Sequence, residues 1–232
     1  MHGRCCTGSC WRIRCPPHLS LLLAENILTG GVPYYVDTNQ RTITGAGTDG
    51  GDTVYANNYK YSTVRAWLNG SYEGNDTQTQ TYTNTGFLQS AFTQSAQKLI
   101  ATTTVDNSAA STNPASNDKQ WNSGTNNYAC ADTMDKIFLL SEKEATTTEY
   151  GFAAYDSFGT GSTRIRATTD YAKATGAYQS STEGYGGWWW LRSPFFLIDI
   201  DARLVFFGGS AGNFDDVFFA GGGVVPALCV QL

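Results

Sequence analysis

A glycine- and phenylalanine-rich segment near the C-terminus, residues 195–223, restricts the possible folds of this chain more than any other feature. It lies between two stretches typical of buried strands, Trp188-Trp-Trp-Leu-Arg-Ser-Pro194 and Val224-Val-Pro-Ala-Leu228. Within it, Gly208-Gly209 favours a hairpin turn, whereas Gly221-Gly-Gly223 lacks the strand-to-helix context of a phosphate-binding loop. The pattern predicts two buried strands joined by a long connection that carries many aromatic side chains.

The same segment has a restricted composition. It contains no Lys, Glu, Gln, Met or Trp, although the rest of the chain uses all five. Those five residues are the ones that a codon of the form NNY, with any two bases before a pyrimidine, cannot encode. Asparagine codons whose two adenines have been randomised would encode such a stretch. The alternative is a Gly- and Phe-rich loop whose composition arose by chance.

Short helices and short strands are predicted along the rest of the chain. The predicted helices begin at Ser62 or Thr63 and end at Asn69-Gly70, run from Phe87 to Ile100, and run from Asp170 to Thr175. The predicted strands are Leu19–Ile27, Lys136–Leu140, Trp188–Arg192, Leu204–Phe206 and Val224–Val230. Ser141 and Glu144 have the spacing of a capping box. Because most helices precede most strands, an α+β fold is favoured over a wound parallel sheet.

One domain is expected from about residue 19 to residue 232, since a chain of this length can bury one sizeable core. Residues 1–18 are interpreted as an uncertain N-terminal extension. Residues from about 102 to 133 are dense in Thr, Asn, Ser and Ala, and we expect them to form a polar surface insertion.

Charge and hydropathy exclude two classes of partner. The net charge is -5 and the body of the chain has no cluster of Lys and Arg, so nucleic-acid binding is not expected. The apolar run Leu19–Ala24 is shorter than the roughly 20 residues of a membrane-spanning helix and the 7–15 of a signal-peptide core. No membrane insertion and no export signal are therefore predicted.

Catalysis, cofactors and metals are not expected either. The only histidines are His2 and His18, which excludes a Ser–His–Asp or Cys–His arrangement in the body of the chain. The cysteines lack the two-residue spacing of zinc ligands. The acids Asp199, Asp201, Asp215 and Asp216 would suit a carboxylate-based hydrolase or a hard cation, although acids in a loop are more often simply solvated. We therefore predict that the protein is not an enzyme.

Six spaced motifs resemble the bacterial domain family of unknown function DUF6273. The motifs are Val64-x-x-Trp67-Leu-Asn69, Phe87-Leu-x-x-Ala91-Phe92, Asp135-Lys-Ile-Phe-Leu-Leu-Ser141, Ala167-Thr-x-x-Tyr171-Ala172, Trp189-Trp-Leu-Arg-Ser-Pro194 and Gly223-Val-x-Pro-Ala-Leu228. The resemblance covers most of the chain from about residue 19 onward. It implies a C-type-lectin-like fold of the formylglycine-generating-enzyme type, with short helices around a small, mainly antiparallel sheet and many loops.

Members of this fold include the variable proteins of diversity-generating retroelements, in which adenine-specific mutagenesis rewrites codons between the same two strands. The resemblance thus implies a ligand-binding domain with a hypervariable surface. The expected partner is a protein or glycan on a cell surface, and the expected location is extracellular, on a phage tail or a bacterial cell. An undiversified structural or adhesive domain of a bacterial surface protein is the alternative.

Two sets of residues follow from this interpretation. Side chains expected on the variable, ligand-binding surface are Phe195, Phe196, Leu197, Ile198, Asp199, Ile200, Asp201, Arg203, Phe206, Phe207, Ser210, Asn213, Phe214, Asp215, Asp216, Phe218 and Phe219. Side chains expected to form the constant scaffold are Trp189, Trp190, Arg192, Val205, Gly209, Val217 and Pro226. We expect Arg192 to donate hydrogen bonds to backbone carbonyls of the variable segment.

Overall fold

The structure is a computed structural model that describes residues 47–49, 52–70, 86–112, 126–155, 162–217, 219 and 221–230. The predicted N-terminal extension and the predicted strand Leu19–Ile27 lie outside the described residues. Phe218 and the centre of the predicted polar insertion, residues 113–125, also lie outside them.

The described elements are short. The strands are β1 (Gly47–Asp49), β2 (Asp52–Val54), β3 (Ile100–Ala101), β4 (Thr103–Val105), β5 (Thr133–Asp135), β6 (Ile137–Leu139), β7 (Trp189–Pro194), β8 (Asp201–Val205), β9 (Asn213–Asp216) and β10 (Pro226–Val230). The helices are α1 (Thr63–Asn69), α2 (Phe87–Ala91), α3 (Gln94–Leu99), α4 (Ala109–Thr112), α5 (Glu142–Ala145) and α6 (Asp170–Ala174), with 3₁₀ turns at Tyr59–Tyr61, Thr148–Tyr150 and Ser162–Arg164.

The described strands form four small antiparallel sheets. Their orders are β1-β2, β3-β10-β6, β4-β5 and β7-β8-β9. In the second of these, β10 lies between two strands from the middle of the chain, with Ala227 opposite Phe138 and Cys229 opposite Ala101. These short helices and small antiparallel sheets confirm the α+β class.

Side-chain caps mark where α1 and α5 begin. The Ser62 side chain accepts a hydrogen bond from the Arg65 amide, and Gly70 ends α1 in the left-handed conformation, with φ of 80°. Ser141 and Glu144 form the predicted capping box in full. These predicted helix boundaries are confirmed because the signals are local and involve neighbours in the chain.

The helix predicted to begin at Phe87 is confirmed over Phe87–Ala91, but its continuation to Ile100 as one helix is wrong. The chain leaves helical geometry at Phe92, where φ is -127° and ψ is 135°, and α3 begins after Thr93. The Thr93 side chain accepts a hydrogen bond from the Ala96 amide and so caps a new helix. Apolar periodicity continued through this break and concealed it.

The predicted polar insertion, residues 102–133, is not a simple surface excursion. Its first strand, β4, pairs with β5, with Val105 opposite Thr133. Val105 and Thr112 are both buried. The Ser193 hydroxyl donates a hydrogen bond to the Thr112 carbonyl at 2.6 Å. The described ends of this stretch therefore pack into the domain.

Strand β7 lies at the centre of the core, since all six of its residues are buried. Because side chains alternate along a strand, complete burial means that both faces are covered. Trp189 and Trp190 are each fully buried. The prediction that Trp189 is a core residue is confirmed.

Arg192 on β7 contacts parts of the chain that precede β7. Its guanidinium is fully buried and forms a two-pronged ion pair with Glu144, at 3.0 Å from Nη2 to Oε1 and closer still from Nη1 to Oε2. It also donates to the carbonyls of Leu139 and Asp106. Both carbonyls lie outside residues 195–222, and the predicted role of Arg192 in holding that segment stays a prediction. Arg192 joins β7 to β6 and α5.

Candidate functional site

The two ends of the 195–223 segment are held side by side. Residues 189 and 223 form an isolated parallel bridge. The Gly223 amide donates to the Trp188 carbonyl at 2.8 Å, and the Trp190 amide donates to the Gly223 carbonyl at 3.0 Å. The segment is therefore a closed excursion that leaves the core strand β7 and returns to it.

Hydrogen bonds from Asn57 to backbone carbonyls fix the first part of this excursion, residues 196–200, here called the 196–200 loop. The Asn57 side-chain amide donates to the carbonyls of Ile198, at 3.1 Å, and Asp201, at 2.9 Å. The Asn57 backbone amide donates to the Asp199 carbonyl at 3.1 Å. Two carbonyls of the loop and the carbonyl of Asp201, the first residue of β8, thus accept hydrogen bonds from one residue far away in sequence.

The hairpin between β8 and β9 turns where we predicted, after Val205. The Phe206 amide donates to the Ser210 carbonyl at 2.9 Å, and the Gly209 amide donates to the Phe206 carbonyl at 2.8 Å. Gly209 has φ of 86°, which favours glycine. Strand β9 was not predicted, because Asn and Asp are depleted in strands and Asn213–Asp216 contains three of them.

Aromatic rings and a guanidinium pack together between the 196–200 loop, β8 and β9. Phe195 and Phe214 are stacked with ring centroids 3.8 Å apart and planes 8° apart. The Arg203 guanidinium lies over the Phe195 ring at 4.7 Å and over the Phe196 ring at 5.9 Å. Arg203 Nε is also 3.3 Å from a carboxylate oxygen of Glu142. This arrangement fixes the floor on which the exposed residues sit.

Four side chains that we expected on the variable surface are buried. They are Phe195, Asp201, Arg203 and Ser210. Their placement on the surface is therefore wrong. Phe195 and Arg203 are buried because they pack against each other, while Asp201 lies opposite Asp216 on β9. The sequence did not indicate that all five residues of β8 are buried.

The other described members of that set are accessible. The clearly exposed side chains are Leu197, Ile198, Phe206, Phe214 and Phe219, and the half-buried ones are Phe196, Asp199, Ile200, Phe207, Asn213, Asp215 and Asp216. Leu197 is 61% exposed and Phe219 is 50% exposed, which is high for apolar side chains. Phe218 lies outside the described residues.

Two tyrosines from an earlier part of the chain pack against the accessible aromatic residues. Phe207 lies against Phe206, Tyr185 and Tyr178, with ring centroids 4.0, 5.5 and 5.8 Å apart. Tyr178 is 43% exposed. The sequence did not indicate Tyr178, Tyr185 or Asn57 as site residues, because isolated polar and aromatic residues in loops carry no periodic signal.

The expected scaffold residues are buried. Trp189, Trp190, Arg192, Val205, Gly209, Val217 and Pro226 all lie in the interior. A Cβ added at Gly222 would lie 2.3 Å from the Trp190 indole nitrogen and 2.6 Å from a ring carbon of Trp188. Close packing of the returning chain on these indoles thus requires glycine at position 222.

Carboxyl groups meet where β8 and β9 pair. Asp201 is directly opposite Asp216 and the two side chains are hydrogen-bonded. Burial, this hydrogen bond and the negative charges of Asp216, Asp215 and Asp199 raise the pKa of Asp201 to about 7. The raised pKa favours the protonated form of Asp201 below about pH 7. Among the described residues, no group of three or more His, Cys, Asp or Glu is placed to hold a metal ion.

We expect stability to fall as the pH rises through about 7. Burial also raises the pKa of Glu142 to about 7, so Asp201 and Glu142 both titrate well above the value of about 4 expected in the unfolded chain. A raised folded-state pKa contributes stability that is complete below pH 4 and is lost by about pH 7. Asp201→Asn should therefore stabilise the protein at about pH 8, by about 1–2 kcal/mol.

Urea unfolding at several pH values checks this expectation. The Asp201→Asn variant should show a shallower loss of unfolding free energy between about pH 5 and pH 8 than the parent chain. Asp170→Asn removes one exposed acid of α6 and should leave the slope unchanged. Equal slopes for the parent and Asp201→Asn would contradict the assignment of the raised pKa to Asp201.

The described part of the molecule is thus an α+β domain that presents a closed, glycine-rich excursion from a buried tryptophan strand. Its family is shown by comparison: a family model described as "Domain of unknown function (DUF6273)" matches residues 20–232, and the chain belongs to that family. Searches of curated proteins and of solved structures found no match. None of the helices within the described ranges has the length and apolar character needed to cross a bilayer.

Proposed function

We propose that this protein is a non-enzymatic recognition domain with a C-type-lectin-like fold, whose residues 195–222 form a ligand-binding surface diversified by a retroelement. The proposed ligand is a protein or glycan on a cell surface. The proposed carrier is a phage tail or a bacterial surface protein, which places the domain outside the cell.

One observation carries the proposal. The residues whose composition fits randomised asparagine codons are the same residues that the Trp188–Gly223 hydrogen bond closes into an excursion from the core. A diversified segment must change its exposed side chains without changing the path of its backbone. The bridge at residue 223, the hydrogen bonds from Asn57 and the turn at Gly209 keep that path independent of the exposed side chains.

The exposed chemistry of the excursion also supports recognition. Burying apolar side chains against a partner contributes roughly 25 cal/mol per Å² before ordering costs. Phe206, Phe214 and Phe219 are each at least 38% exposed and lie in one stretch of the chain. Aromatic side chains supply large contact areas and lose little rotamer freedom, so they suit a binding surface.

The burial pattern divides the variable segment into two roles. In the proposed function, exposed positions such as Leu197, Ile198 and Phe219 carry specificity. Phe195 and Arg203 support the floor of the surface, so changes there alter folding before they alter partner choice.

Sequencing the DNA around the gene tests diversification directly. We expect a near-copy of codons 189–228 close to a reverse transcriptase gene, with mismatches confined to adenines of the copy. Mismatched codons should fall at exposed positions of the segment more often than at Phe195 or Arg203. Absence of such a copy, or mismatches at all four bases, would refute diversification and favour the undiversified adhesive domain.

A further inference from the structure

We propose that the 196–200 loop and β9 together bind a protein surface that presents Lys or Arg next to apolar side chains. This inference rests on the proposed function, and it selects one of the two ligand classes named there. It follows from three properties of this face: its exposed apolar groups, its unbalanced negative charge and its position at a sheet edge.

Apolar side chains dominate the outer surface of this face. Leu197, Ile198 and Phe214 are 61%, 41% and 39% exposed. β9 is an edge strand of the β7-β8-β9 sheet, and Phe214 and Asp216 share one face because side chains alternate along a strand. The backbone beneath is fixed by Asn57 and by the Val217 amide, which donates to the Ile200 carbonyl at 2.8 Å. The face is therefore preformed, which lowers the ordering cost of binding.

Asp216 on this face, Asp199 in the loop and Asp215 at the neighbouring position of β9 together carry negative charge that no salt bridge among the described residues neutralises. Asp199, Asp215 and Asp216 are all near enough to act on the Asp201 carboxyl. Among the described residues, the salt bridges to acids involve Asp135, Asp170, Glu144 and Glu142, and none involves Asp199, Asp215 or Asp216. Arg203, the cation next to the stacked rings, is buried and pairs with Glu142.

This combination favours one class of partner. The negative field attracts a basic protein surface and repels acidic glycans and nucleic acids. The alkyl stems of Lys and Arg pack on apolar groups such as Leu197 while their charged ends reach nearby carboxylates. A guanidinium or ammonium group also binds favourably over an exposed ring such as Phe214.

Selection from a random linear-peptide library against the intact 232-residue chain tests the inference, with a glycan array probed in parallel. We expect enriched peptides to contain Lys or Arg next to apolar residues. Raising the ionic strength from about 0.1 M to about 1 M, which shortens the screening length from about 10 Å to about 3 Å, should weaken their binding. Measurements at about pH 8 keep Asp201 largely ionised.

A charge-matched pair of variants locates the site. Asp199→Asn/Asp215→Asn/Asp216→Asn should weaken an enriched basic peptide about tenfold, because three charges at or beside the interface are lost. The control Glu149→Gln/Asp170→Asn/Glu183→Gln removes three exposed acids from other loops and helices and should change binding less than about twofold. Equal weakening by both triple variants would overturn the inference, since it would reveal attraction to net charge alone.

A third variant separates failure of this inference from failure of the proposed function. Leu197→Ser/Ile198→Ser removes two exposed apolar side chains and should also weaken the selected peptides. One outcome is that the binders are glycans or peptides without basic residues, and that they are lost in this variant but not in the triple amide variant. That outcome would overturn the inference of a cationic partner but would still support the recognition surface. Binders that neither variant affects would overturn both.

Discussion

Replacing Arg192 with alanine should lower the free energy of unfolding by about 3–5 kcal/mol. The side chain is fully buried and its guanidinium forms a two-pronged ion pair with Glu144. Truncation would remove the cation that faces that carboxylate and the donor that the Leu139 and Asp106 carbonyls share in the interior. Urea unfolding followed by tryptophan fluorescence measures the loss, because several tryptophans lie on or beside β7.

Two further variants give this expectation a control. Arg192→Lys retains the charge but cannot reproduce the forked geometry, so it should lose somewhat less stability than Arg192→Ala. Lys173→Ala removes a cation whose side chain is 48% exposed and should change the unfolding free energy by less than about 0.5 kcal/mol. A loss below about 1 kcal/mol for Arg192→Ala would show that the Glu144 pair does not hold β7 to α5.

Arg203→Ala should cost about 2–4 kcal/mol, although position 203 lies within the segment that we propose to be diversified. Arg203 pairs with Glu142, lies over the Phe195 and Phe196 rings, and donates to the Gly212 carbonyl at 2.9 Å. Its loss would leave Glu142 buried without this cation, which would raise the pKa of Glu142 further. Protonation of Glu142 limits the cost to less than that of an unrelieved buried charge.

A double-mutant cycle measures the coupling within this pair. Glu142→Gln removes the carboxylate charge, and Arg203→Ala should cost less in that background than in the parent chain. A stability change below about 0.5 kcal/mol for Arg203→Ala would instead place Arg203 among the freely variable surface positions. The same result would also show that the contact of Arg203 with the Phe196 ring does not stabilise the 196–200 loop.

Arg192 and Arg203 both attach strands of the β7-β8-β9 sheet to α5. Arg192 joins β7 to α5 through Glu144, and Arg203 joins β8 to the same helix through Glu142. One short helix of four residues thus receives two buried arginines from adjacent strands. The capping box at Ser141 fixes the start of this helix and therefore the positions of both carboxylates.

Local features were predicted well from the sequence. The Ser62 cap, the capping box at Ser141, the turn at Gly209 and the end of α1 at Gly70 are all where we predicted them. Each depends on residues within a few positions of one another, so short-range spacing contains the necessary information. The family was likewise evident from spaced motifs, and the match over residues 20–232 confirms it.

Strand β9 and the burial of Phe195 and Arg203 were not predictable in this way. Asn213–Asp216 has the composition of a loop and becomes a strand only because β8 offers it a partner. Phe195 and Phe214 are chemically alike, yet Phe195 is 2% exposed and Phe214 is 39% exposed. Which ring is covered depends on Arg203 and Glu142, and these contacts span many residues of sequence.

By itself, the sequence determined the helix caps, the glycine turn, the tryptophan strand and the unusual composition of residues 195–223, because these are properties of neighbours in the chain. Only the tertiary structure decided that residue 223 returns to β7, that Asn57 holds the 196–200 loop, and that Asp201 faces Asp216. Such pairings join residues that are distant in sequence and have no periodic signature. The physical reason is that strand pairing and burial depend on the partner that the whole fold supplies.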